Sequence, residues 1–123
     1  MKYYYNNQLI RTSKNHVYSH AVVVTDQDGK LYAMGCRRSL AEAEAFKESE
    51  INGYLRGIED CHKAIKALQE GKEGYFARDG RKDWWIKFTS KNTVEYYEEI
   101  IEDREKAIKN IQNNWKVVEL EAR

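Results

Sequence analysis

Arginines, lysines and flat rings carry what chemistry this sequence has to offer, and they suit holding an anion better than breaking a bond. Arg37 and Arg38 stand directly before Ser39-Leu40-Ala41-Glu42, where a helix begins. Free N–H groups and the helix dipole at such a start favour a phosphate or carboxylate. Two surface arginines ahead of a capped helix would read the same way. Trp85, Lys87, Phe88, Thr89, Lys91 and Asn92 combine rings, positive charge and an amide able to pair with a base edge. Core aromatics followed by a helix cap account for that string equally well. Arg104 occupies a place in an apolar helical stripe where a hydrophobic residue is due. Three readings of it stay open: a charge paired across an interface, a phosphate-binding group between helices, or a boundary position. Arg11, Lys106 and Lys109 are further cations that a second subunit could supply.

Bond-breaking chemistry has no such support. His16, His20 and His62 fall on different elements, and no H-E-x-x-H, C-x-x-C or glycine-rich phosphate loop is present. Acidic residues on helical stretches sit beside lysines, as in Glu59-Asp60 with Lys63 and Glu102 with Lys106, the ordinary pairing of a solvated surface. Ser39 and Glu42 form a capping box before they form a nucleophile and an acid. The expectation is a protein that is not an enzyme and carries no cofactor or metal. Cys36 and Cys61 are far apart without a ligand pattern, which points to a reducing cytosol. No signal peptide or membrane span is read. With 21 basic and 20 acidic side chains the net charge is +1. That speaks against a general DNA or RNA binder and leaves room for a local basic pocket.

The elements that must position these residues are few. Ser39 to Lys72 reads as one long amphipathic helix with a stripe at Ile51, Leu55, Ile58, Cys61 (or His62), Ile65 and Leu68. At 1.5 Å per residue it would run roughly 45 Å, more than a domain of this size is wide. It therefore calls for a partner, either the second helix, Thr93 to about Asn113, or another subunit. Gly53 and Gly57 lie on one face of it, each costing up to about 1 kcal/mol relative to Ala. They read either as tolerated surface glycines or as the mark of close approach by another helix or a ligand, the sharper reading, with Tyr54 and Arg56 then beside the contact. Residues 3 to 12 read as a first strand interrupted or edged by Asn6-Asn7, Val17 to Thr25 as the clearest strand, and Leu31 to Gly35 as a third. The second and third join through a hairpin turn over Asp26-Gln27-Asp28-Gly29-Lys30, where Asp-Gly readily supplies the positive φ of tight primed turns. Tyr75 to Arg78 and Trp84 to Ser90, the latter with a basic outer face, precede a capping box at Asn92 and Glu95. Trp115 to Leu120 closes the pattern. Together these predict a single α+β domain over residues 1–123: a small antiparallel sheet, meander plus later strands, with two long helices, assembled as an oligomer.

Leu9-Ile10-Arg11-Thr12-Ser13-Lys14, Tyr18-Ser19-His20-Ala21-Val22-Val23, Cys36-Arg37-Arg38-Ser39 and Asn113-Asn114-Trp115-Lys116-Val117-Val118 give the chain a resemblance to the phage Thoeris anti-defence sponge family. The likeness runs over the whole length, in element order and size. It implies a phage protein acting in the host bacterial cytoplasm that sequesters, without degrading it, a cyclic ADP-ribose isomer (gcADPR) made by TIR-domain proteins, so that the NADase effector stays silent. It further implies homodimers or hexamers, pockets at the dimer interface, and cyclic dinucleotides held by some members. On that resemblance Phe88 and Asn92 take the places of the adenine-binding ring and amide, with Arg104 or Lys109 as phosphate partners. A lysine there lacks the planar fork that suits a phosphate. The competing expectations are an inhibitor that binds a host defence enzyme through exposed aromatics, a small nucleic-acid binder, and a phosphodiesterase.

Overall fold

The computed structural model describes all 123 residues, except for the side chain of Asp79. Its elements run β1 Lys2–Tyr5, β2 Gln8–Thr12, β3 His20–Thr25, β4 Leu31–Arg37, α1 Leu40–Gln69, β5 Gly74–Asp79, β6 Lys82–Lys87, α2 Val94–Asn114, β7 Lys116–Glu119 and β8 Glu121–Ala122. The fold is α+β with small antiparallel sheets and two long helices. The chain divides into two compact units, Met1–Ile51 with Lys109–Arg123, and Asn52–Ile108. Both divisions fall inside helices, so each unit draws on part of α1 and part of α2.

The first unit holds two three-stranded sheets, β2-β1-β8 and β4-β3-β7. What reads in sequence as one N-terminal strand is a hairpin. Asn6 and Asn7 both take positive φ, 48° and 63°, the conformation of a two-residue primed turn that asparagine tolerates. The hairpin turn expected over residues 26–30 is present, as a three-residue loop and not a two-residue primed turn. Asp26 and Lys30 still pair, since the Asp26 N–H donates to the Lys30 carbonyl at 2.9 Å. Gly29 alone takes the left-handed conformation, at φ 81°. The Asp26 carboxylate accepts from the N–H groups of Asp28 and Lys30, which holds its acid below the usual carboxylate range. Strand β3 is central, between β4 and β7, and so Ala21, Val22 and Val23 are all buried. Both faces of that strand are covered, as its two apolar faces predict. Val17 is exposed and lies outside it. Ala21, Val23 and Cys36 form the core, with Ile10, Tyr18, Leu31, Ala33, Val118 and Leu120 against it. Tyr3 is buried beside them and its hydroxyl accepts from the Tyr18 N–H at 3.2 Å.

Helix α1 starts as a capping box with one change of partner. The Ser39 hydroxyl accepts from the Glu42 N–H at 3.1 Å, but the Glu42 carboxylate accepts from the Arg38 N–H, not that of Ser39. Just past its last residue, Gln69, the Gly71 and Lys72 N–H groups donate to the carbonyls of Leu68 and Ala67, a Schellman closure.

In the second unit the hairpin β5-β6 stands with the later part of α1 and the start of α2. Its core is Cys61, Ala64, Tyr97 and Ile101, with Ile58, Ile65, Leu68, Tyr75, Phe88 and Ile100 packed around. The buried line of α1 thus runs through small residues, Cys61, Ala64 and Ala67, while Leu55 of the expected stripe is 49% exposed. Helix α2 is capped by Thr93, whose hydroxyl accepts from the Tyr96 N–H at 3.1 Å. Asn92, one residue earlier, is not the cap.

Candidate functional site

The second unit contains a cleft of about 420 Å³ that gathers arginines and rings. Helix α1 gives it Gly53, Arg56, Gly57, Asp60 and Cys61; the hairpin gives Tyr75, Ala77, Arg78, Trp84 and Ile86; α2 gives Tyr97, Ile100 and Arg104. Cross-strand pairing explains the hairpin's share apart from Arg78. Tyr75 opposes Ile86 and Ala77 opposes Trp84, and side chains two apart in a strand share a face.

Arg104 is the centre of this cleft. A Cβ on Gly57 would come within 2.7 Å of its Nη1 and 2.8 Å of its Cζ. The guanidinium therefore lies in space that only a glycine leaves open, which is the close approach expected for Gly57. Gly53 has no such neighbour; only the Arg56 Nη2 comes within reach, at 4.0 Å. Among the described residues the Arg104 Nε is a buried donor with no hydrogen-bond partner. Leaving such a group unpaired costs about 1–3 kcal/mol, and more when it is charged. Arg56, Arg78 and Arg104 share the cleft with one carboxylate, Asp60, so its charge is net positive. Arg78 also donates from Nε to the Asp83 carboxylate at 2.9 Å.

Two phenols complete the wall. Tyr97 is 5% exposed and its hydroxyl accepts from the Asn92 Nδ2 at 2.9 Å. Burial, with the Tyr97 phenol adjacent, pushes Tyr75 up to about 12. Tyr97 is raised as well, mainly by burial. Burial also raises the Cys61 thiol, which makes it a wall group and not a nucleophile.

The first unit contains a second cleft, about 580 Å³, lined by Tyr18, Cys36, Arg37, Arg38, Glu42 and Phe46 among others. The Arg37 guanidinium stacks 4.4 Å from the Phe46 centroid and donates to the Cys36 carbonyl at 2.8 Å. Arg11 lies 5.6 Å over the Tyr18 ring. Glu42 already answers the helix start here, so an anion would compete with a resident carboxylate.

The expected site residues thus separate. Arg56 and Arg104 meet in one cleft; Arg37 and Arg38 line the other, with Arg11 stacked on its Tyr18 ring. Phe88 and Asn92 line neither. Phe88 packs against Tyr75 at 5.7 Å and Tyr97 at 6.4 Å. The Asn92 carbonyl oxygen accepts from the Thr89 N–H and hydroxyl, while its amide nitrogen holds Tyr97. Tyr54 is half-buried on α1 and Lys109 is exposed, and neither lines a cleft with Arg104. Sequence reasoning missed Arg78, Trp84 and Tyr75 as partners of Arg104. Strand alternation across Asp79-Gly80 would have put Tyr75, Ala77, Trp84 and Ile86 on one face. Among the described residues no cluster of three or more His, Cys, Asp or Glu is placed to hold a metal, and no helix is long and apolar enough to cross a membrane.

Comparison with protein-family models, with curated proteins and with solved structures finds no match to this chain.

Proposed function

We propose that the protein binds and sequesters a compact, doubly charged cyclic nucleotide, a cyclic ADP-ribose isomer of the kind TIR-domain proteins make, and releases it unchanged. The buried, unpartnered Arg104 Nε on the wall of a net-positive cleft carries this reading. A diphosphate oxygen would supply the missing acceptor, and guanidinium forks bind phosphate in pairs of parallel hydrogen bonds. Trp84 offers a flat face for a base. A volume of about 420 Å³ falls within the roughly 300–1,000 Å³ of small-molecule sites. Sequestration needs tight binding and no turnover, and the cleft's cations and phenols do not amount to a nucleophile with its base. In this reading the protein is a phage anti-defence factor that keeps the signal from its effector. Assembly as a homodimer or hexamer, and capture of cyclic dinucleotides, belong to the same proposal.

Calorimetry of the purified protein against the cyclic ADP-ribose isomer, followed by heat denaturation and chromatography, tests it. Saturable binding with a Kd on the order of nanomolar, intact ligand on release, and loss of binding in Arg104→Met are expected. Absence of heat, or recovery of a hydrolysed product, would overturn the proposal.

A further inference from the structure

The near-zero net charge conceals a strong asymmetry. Lys63 to Lys91 carries eight basic and four acidic side chains, whereas Asn92 to Arg123 carries five and eight. The basic stretch contains the β5-β6 hairpin, and the face of that hairpin opposite Trp84 bears two large rings in the open. Phe76 is 66% exposed and Trp85 is 50% exposed. They oppose each other across the strands and meet edge to face, with centroids 5.0 Å apart. Their placement is fixed from below. A Cβ on Gly74 would stand 2.8 Å from the Trp85 Cζ2, so the indole lies across a strand position that only glycine leaves clear. Beside the rings runs a groove of about 340 Å³ lined by Lys63, Lys66, Glu70 and Lys72 with Tyr75, Phe76 and Trp85. The Lys63–Glu59 and Lys72–Glu70 pairs, at 3.6 and 2.9 Å, are both well exposed, and exposed pairs of this kind yield readily to another anion.

We propose that this face binds a short single strand of nucleic acid, one or two bases stacking on Trp85 and Phe76 while Lys63, Lys66 and Lys72 follow the phosphates. Preset rings along a cationic groove are what sequence-tolerant binding of a single strand requires. The groove is sized for a base and not for a protein surface, and its three lysines outnumber its one carboxylate. Composition over the whole chain argues against wrapping a duplex, and this local platform asks for nothing of that kind. The two stacking rings, Trp85 and Phe76, are not part of the Arg104 cleft, which shares only Tyr75 with this groove, and the site does not depend on the nucleotide reading made there.

Fluorescence anisotropy of roughly 15-nucleotide labelled oligothymidylate and oligouridylate, titrated with the full chain, tests it. Saturable micromolar binding is expected, weakened about tenfold by Trp85→Ala or Phe76→Ala. The logarithm of affinity should fall with that of salt at a slope near −2, from roughly 0.7 counterions released per lysine–phosphate contact. Lys66→Glu, an exposed change on α1, gives a second variant should a ring substitution fail to fold, and it should weaken binding likewise. No anisotropy change at about 50 mM salt, binding that survives both kinds of variant, or equal displacement by a polyglutamate peptide would overturn the proposal. The last outcome would assign the face to an acidic protein partner.

Discussion

Arg104 sets stability and binding against each other. Replacing it with methionine removes a charge whose Nε is buried without an acceptor. The ligand-free protein should hold or gain about 1 kcal/mol, read by urea denaturation, while the ligand heat disappears. Gly57 gives a subtler version. Alanine improves helix propensity by up to about 1 kcal/mol, but its Cβ would displace the guanidinium. At Gly53 the same change meets almost nothing. Gly53→Ala should therefore raise the melting temperature more than Gly57→Ala does, and only the latter should move Arg104. The phenols set a pH limit. Tyr75 keeps its proton in the fold to about 12, against 10.0 for an unperturbed tyrosine. Between those values the unfolded chain binds fewer protons than the folded one, so stability falls as pH rises from 10 toward 12. Tyr75→Phe should flatten that part of a plot of melting temperature against pH.

At the scale of elements, the ends of helices and strands decide which side chains are free for a ligand. Thr93→Ala should cost about 1 kcal/mol by removing the α2 cap. Asn92→Ala should cost more, because it releases Thr89 and Tyr97 together; equilibrium unfolding of both variants checks the order. Much of this level was legible from sequence. The Ser39 cap, the helical periodicity that marks α1 and α2 and the two-sided apolar run of Ala21–Val23 rest on local rules, and the elements follow them. Glu42 nevertheless turns to the Arg38 N–H, and the buried line of α1 moves to Ala64 and Ala67. Asn6-Asn7 was ambiguous because its reading depends on φ values and not on residue class. Asn92 looked like a ligand amide because a sequence cannot show that Thr89 and Tyr97 already occupy both ends of it. The Arg104 cleft was half legible. A cation in an apolar stripe and two glycines four apart announce themselves, but Arg78 and Trp84 reach them only through hairpin pairing. A Schellman stop at Gly71 places that hairpin where no periodicity could.

For the whole molecule, α1 keeps Leu40 and Leu55 about half exposed, and a second copy would bury such residues. Sedimentation should give a multiple of the 14.5 kDa chain mass. A monomer at every concentration would overturn that expectation. Ala21 pairs with Val118, and the N–H groups of Lys2 and Arg123 each donate to the other's carbonyl, at 3.1 and 2.8 Å. Contacts this remote in sequence are slow to form, since nearly the whole chain must close as a loop first. A circular permutant that joins Arg123 to Met1 by a short linker and opens at the Gly29 loop would turn the β1-β8 pairing into a local hairpin. It should refold faster than the natural order, with the rings and arginines of both clefts left on uncut segments.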